Sequence, residues 1–190
     1  NQPKAESVFR NILAIEPKVY DHHLKLALFF DQQRQYDKAE ATLREALRLD
    51  PDSEQRHLAL ADYLAGRRDM ATAESALADA HRALPHAMNI QFALGRLYET
   101  HQQPAKARAT YEDIRDHNRS KPAGGSAKVK LAALDWAEGK QEAATQQLQE
   151  VFRDNPRASD ALMLEGRIAL QHGDGRDAVQ AFRTVLKDQP

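Results

Sequence analysis

The chain has 190 residues, 42% of them apolar but only 6% aromatic, with no cysteine and 27 basic against 28 acidic side chains. Balanced charge leaves no general electrostatic footprint for nucleic acid, and no apolar run approaches the roughly 18 residues of a membrane span. The lack of cysteine excludes disulfides and thiolate metal sites but suits an oxidising or a reducing compartment equally, so composition leaves the compartment open.

Taken in order, residues 4–19 read as half a unit: Ala5, Phe9 and Ile12 form one apolar stripe that stops at Pro17. Residues 20–53 form the first full unit, with Asp21 placed to cap its first helix and Asp50-Pro51-Asp52 as its exit turn. The unit at 54–87 is similar, with Gly66 expected to loosen the end of its first helix. In the unit at 88–121, Pro104 is read as the start of a helix ending near His117, and Arg119 stands where another proline is due. Ser120 to Ser126, with Pro122, Gly124 and Gly125, is expected to be an inserted loop. Units at 125–158 and 159–190 follow, carrying Gly139 and Gly173 in their inter-helix turns.

The interval between these units is fixed by proline. Pro17, Pro51 and Pro85 are 34 apart, as are Pro156 and Pro190, while Pro85 to Pro156 spans 71, two such steps plus three. Small and apolar positions stack in the same register: Leu26-Ala27, Leu60-Ala61, Leu94-Gly95 and Leu131-Ala132, then Ala39, Ala73, Ala107, Ala144 and Ala178, then Leu43, Leu77, Tyr111, Leu148 and Phe182. Apolar residues three and four apart give each helix one stripe, which a single unit cannot bury. Alanine lets helix axes approach to the low end of the usual ~8–10 Å separation.

This pattern resembles the tetratricopeptide repeat, a helix–turn–helix unit of about 34 residues. The resemblance covers the whole chain and implies an all-α superhelical solenoid of about eleven helices, one unpaired and five pairs after it, in one array over 1–190. It departs from the family at Arg119, at Glu165 in place of leucine, and at Asp135 in place of an aromatic packing residue. An array that starts mid-repeat and lacks a polar capping helix is expected to be a segment of a longer protein, with apolar surface around Phe182, Val185 and Leu186 favouring weak self-association.

Motifs that could carry chemistry are few. Gly173-Asp174-Gly175-Arg176-Asp177-Ala178 fits a dinucleotide-binding fingerprint, but that fingerprint needs a preceding strand and an acid about 20 residues on, and here a helix precedes it. His22-His23 are adjacent and His81 and His86 five apart, neither spacing placing two ligands on one helical face. No nucleophile or acid–base constellation stands out. No catalytic residue, metal or cofactor is therefore expected, and the chain is read as not an enzyme. Arg115, Arg119, Lys121, Lys128 and Lys130 form a basic cluster, readable as a solvated turn or a site for an anionic segment, and Asn118-Arg119-Ser120 fits the glycosylation acceptor pattern.

By the resemblance, first helices line a concave groove, and Leu24, Leu58, Phe92, Val129 and Met163 point into it. Neighbouring groove positions hold Leu28, Asp62, Arg96, Ala133 and Arg167, then Asp31, Ala65, Glu99, Trp136 and Leu170. The apolar ladder is either packing between first helices or a ligand surface rimmed by charge. Trp136 lies in the groove if its helix keeps the family phase, or between helices if Asp135 forces a one-residue shift. The residues of the family's carboxylate clamp are absent. The expected function is a protein-interaction scaffold binding an apolar or amphipathic peptide or helix, with no nucleic acid and no membrane insertion; the alternative is a structural spacer or self-assembly module.

Overall fold

Short turns built on the recurring proline and glycine positions cut the chain into helices of nearly equal length. The computed structural model describes the backbone of residues 2–188 and the side chains of 4–187; Pro190, expected to close the last repeat, lies outside them. Among the described residues there are eleven helices and no strand. They are α1 (Gln2–Ile15), α2 (Tyr20–Gln32), α3 (Tyr36–Leu49), α4 (Glu54–Arg67), α5 (Met70–Ala83), α6 (Met88–Thr100), α7 (Pro104–His117), α8 (Pro122–Ala137), α9 (Gln141–Asp154), α10 (Ser159–His172) and α11 (Gly175–Asp188). By contact the chain divides into two units, one ending at His101 with α1–α6, the other starting at Gln102 with α7–α11. The division falls within the repeat expected at 88–121.

Small residues set the helix contacts in both units. Ala39 of α3, Ala73 of α5, Ala107 of α7 and Ala144 of α9 are fully buried at the recurring alanine position. Around them in the first unit, Leu26, Ala27, Phe30, Leu60, Leu64 and Ile90 close one apolar core. In the second, Val129, Ala132, Leu148, Ala161 and Leu164 do the same.

The inter-helix turns repeat a backbone conformation more faithfully than a residue. Gly139 and Gly173 are left-handed, at φ 78° and 84°, but so are Arg34 and Gln102, each at φ 57°. An L-residue in that conformation brings Cβ against the following carbonyl at a cost of about 1–2 kcal/mol. Arg68, at the equivalent place in the second repeat, avoids it with φ −118°. There Asp69 caps α5 instead, its Oδ1 accepting the Thr72 amide at 2.7 Å.

Several expectations need correction. α2 starts at Tyr20 after Val19, so Asp21 lies inside the first turn, where it pairs with Lys25 at 3.3 Å, and is not the cap. Gly66 does not loosen α4, which continues to Arg67. The stretch expected as a loop over 120–126 is helical from Pro122 onwards, and the insertion is absorbed by lengthening α8 to 16 residues. Proline is suited to that first turn. Gly124 then lets the new turn lie on the chain before it, since a Cβ there would stand 2.2 Å from the Asn118 carbonyl oxygen. Asn118 itself is buried and donates through Nδ2 to the Ile114 carbonyl at 2.9 Å, so the acceptor pattern at 118–120 is not presented to solvent. Phe182 is half-buried with its ring against Gly166, whereas Leu186 is 67% exposed.

Candidate functional site

First helices carry the candidate site. In the first unit, α2 and α4 flank a cleft of about 520 Å³ floored by Leu24, Ala27 and Leu43 and walled on the α4 side by Ala59, Tyr63 and Gly66. Leu28 stands at its mouth, 57% exposed, with Asp62 across it on α4. One end is closed by Arg67, whose Nε and Nη2 each donate to an Asp31 carboxylate oxygen at 2.7 Å. The same guanidinium lies 5.3 Å from the Tyr36 ring, and the Asp31 carboxylate holds it above its ordinary value. Tyr63 donates to the Tyr36 carbonyl at 3.1 Å, and burial, then Asp31, push its hydroxyl up.

The other expected groove residues of this unit lie on α2, α4 and α6. Leu24 and Leu58 are half-buried and pack on the core, and Phe92 and Glu99 on α6 are also half-buried. Asp62 and Arg96 are exposed. Among the described residues, Asp62, Arg96 and Glu99 form no ion pair, in contrast to Asp31.

In the second unit the expected groove positions behave differently. Val129 is buried in the core, whereas Met163 on α10 is 43% exposed and Arg167 is exposed without an ion pair among the described residues. α8 keeps the family phase: Asp135 is buried at the place that Phe30, Leu64 and Tyr98 fill in earlier repeats. Its carboxylate is held by Arg108 Nη2 at 2.8 Å and by Gln147. Trp136 is half-buried, donates through Nε1 to Gln171 and meets the His172 ring edge-on with centroids 5.2 Å apart.

The basic cluster is largely neutralised. Arg115 and Arg119 both reach Asp116, and Lys128 bonds Glu150 at 2.9 Å, holding that carboxyl below its ordinary range. A larger cleft of about 890 Å³ at the starts of α8 and α10 is lined by Arg119, Lys121, Lys128 and Arg157 together with Asp154 and Asp160. Three histidines are engaged locally: His23 and His57 bond the Pro17 and Pro51 carbonyls through Nε2 at 2.7 and 2.8 Å, and His22 bonds Glu16. Gly173 and Gly175 join α10 to α11, with no strand before them. No helix among the described residues is long and apolar enough to cross a membrane.

Sequence reasoning placed Asp31 in the groove but missed its pairing with Arg67, and missed Tyr63 and the wall formed by Gly66. It also missed Arg56, buried on α4, which donates to the Ala46 and Lys18 carbonyls at 2.6 and 3.3 Å and lies 5.2 Å from the Tyr20 ring. No local signal marks these pairs, since each joins residues brought together by helix stacking.

The arrangement defines a helical-repeat protein of the interaction-scaffold class. A family model described as tetratricopeptide repeat matches residues 3–63, and one described as tetratricopeptide repeat-like domain matches 61–190. The chain belongs to the tetratricopeptide repeat family. No curated protein matches it in sequence. Among solved structures, it resembles a tetratricopeptide repeat protein from Parabacteroides merdae with a TM-score of 0.64 and 15% identity, over all of this chain and 74% of that one. Yeast Tom70 matches at 0.67 and 16%, over 98% of this chain and 39% of Tom70. PilF of Pseudomonas aeruginosa matches at 0.57 and 22%, over all of this chain and 85% of PilF. At these identities the likeness is one of fold. That fold is a protein–protein interaction scaffold, and scaffolds of this family are generally non-enzymatic.

Proposed function

We propose that the half repeat and five repeats spaced by proline act as one interaction array, whose first helices dock an apolar or amphipathic segment of a protein partner. The observation that carries this reading is the cleft between α2 and α4, open, apolar in its floor, and flanked by the exposed Leu28. Apolar surface left in water forgoes about 25 cal/mol per Å² on burial, and an apolar patch rimmed by charge marks a partner site. In the second unit, exposed Met163 beside Arg167 extends the same chemistry. Exposed Val179 and Leu186 on α11 favour weak self-association as a separate property, to be read as concentration-dependent sedimentation.

Affinity isolation from the native host tests the docking reading. Wild type is compared with Leu28→Glu and with Glu142→Lys, a control on an exposed second-helix position. The groove variant is expected to lose a partner that the control retains. Retention of every partner by Leu28→Glu would replace docking with the structural-spacer reading.

A further inference from the structure

We infer that the segment docked between α2 and α4 carries a lysine or arginine, whose cation sits on Asp62 in the room left by Gly66. This rests on the docking reading above. Three charged residues line the cleft: Asp31, Asp62 and Arg67. Arg67 donates from Nε and Nη2 to the two oxygens of Asp31, so the two charges are paired with each other. Asp62 remains as the uncompensated charge, exposed in the empty cleft and without an ion pair among the described residues.

An apolar segment settling against Leu24, Ala27 and Leu28 strips water from the Asp62 carboxylate. A carboxylate that loses water without a counter-charge is strongly disfavoured, so a partner made only of apolar residues weakens its own binding. An acidic partner meets like charge as well. A lysine or arginine resolves both problems, because its methylene stem lies along apolar surface while its head reaches the carboxylate.

Gly66 supplies a second, independent observation. It lies one turn beyond Asp62 on the same face of α4 and lines the cleft. Its backbone is not left-handed, and a Cβ built there meets nothing within 4 Å. Neither conformation nor packing within the protein therefore requires glycine at a helical position where most residues would be more stable. The missing side chain leaves the wall open beside the carboxylate, the use of glycine where a ligand approaches backbone closely.

The test is selection of a random dodecapeptide display library on the 190-residue chain, followed by fluorescence anisotropy with an enriched peptide. Wild type is expected to enrich apolar peptides carrying Lys or Arg, and Leu28→Glu to abolish that enrichment. Asp62→Lys should turn the selected charge to acidic and weaken the wild-type peptide about tenfold or more. Gly66→Gln should weaken it comparably while the urea midpoint stays level or rises, an outcome a purely structural role for Gly66 would not give. A pool without charge bias, or a peptide indifferent to Asp62→Lys, overturns the inference and leaves docking intact. A pool that does not depend on Leu28 overturns the docking reading itself.

Discussion

Phe30, Leu64 and Tyr98 in the first unit and Asp135 in the second stand at one place in the repeat, and all four are buried. In the first unit the place is filled by hydrocarbon, with the Tyr98 hydroxyl alone reaching a carboxylate, Glu74 at 2.7 Å. Burial and that acceptor push the Tyr98 hydroxyl up to about 12. In the second unit a carboxylate fills the place and brings Arg108 and Gln147 with it. The repeat thus specifies burial at this position and leaves the chemistry to the neighbouring helix, which carries glutamate at 74 and arginine at 108. The two solutions differ in what happens when one partner is removed.

The largest expected effect follows from that difference. Arg108→Ala leaves the buried Asp135 carboxylate with Gln147 but no counter-charge and should lower stability by about 3 kcal/mol, the low end for a broken buried pair because Arg108 keeps some exposure. Tyr98→Phe, its counterpart, removes one hydrogen bond and should lose about 0.5–1.5 kcal/mol. Urea unfolding reads both, and the double variant Asp135→Leu with Arg108→Met should recover most of the loss. Equal losses at Arg108 and Tyr98 would break the contrast. Next come Ala73→Leu in the first unit and Ala107→Leu in the second, each overpacking a fully buried contact by about 1–3 kcal/mol. If both keep the parent midpoint, the shared register of the two units is wrong.

Turn residues give a smaller and opposite pair. Gly173→Ala should lose about 1 kcal/mol, because it places a Cβ in the left-handed region, whereas Arg34→Gly should gain several tenths by removing one. The smallest effect is spectroscopic. His172→Ala uncovers one edge of Trp136, so tryptophan emission should shift to the red and acrylamide quenching should rise, with little change in the urea midpoint. An unchanged emission would place the indole elsewhere.

Most of the fold was legible because proline and alanine act locally. The 34-residue proline interval marks where second helices end, and the alanines mark where helices meet, so that spacing and the resemblance it carries anticipated about eleven helices. What escaped depends on compensation. Arg34 and Gln102 show no glycine signal for a left-handed turn, yet the turn persists because the helices on either side impose it. Pro122, Gly124 and Gly125 look like loop chemistry, but proline at a first turn and glycine under a close carbonyl are also helix chemistry. Asp135 looked like a reason to shift a helix, and only Arg108, 27 residues earlier, shows that it is held in place.

The groove positions were legible as positions but not as a surface. Leu24, Leu58, Val129 and Met163 share one place in the repeat, yet Val129 is core and Met163 is exposed, since burial there depends on which helix lies alongside. Leu28 and Asp62 gain their significance from Arg67 closing over Asp31, a contact that crosses 36 residues of sequence.

The most direct test of docking uses the absence of cysteine, which permits a single label at Ala59→Cys in the cleft wall and a control at Ala143→Cys on α9. Each site is labelled with bimane and titrated with the library-selected peptide. Docking in the cleft gives a saturable emission change at position 59 and none at 143. A change at 143 alone, or saturable binding that leaves the label at 59 unaltered, would contradict it.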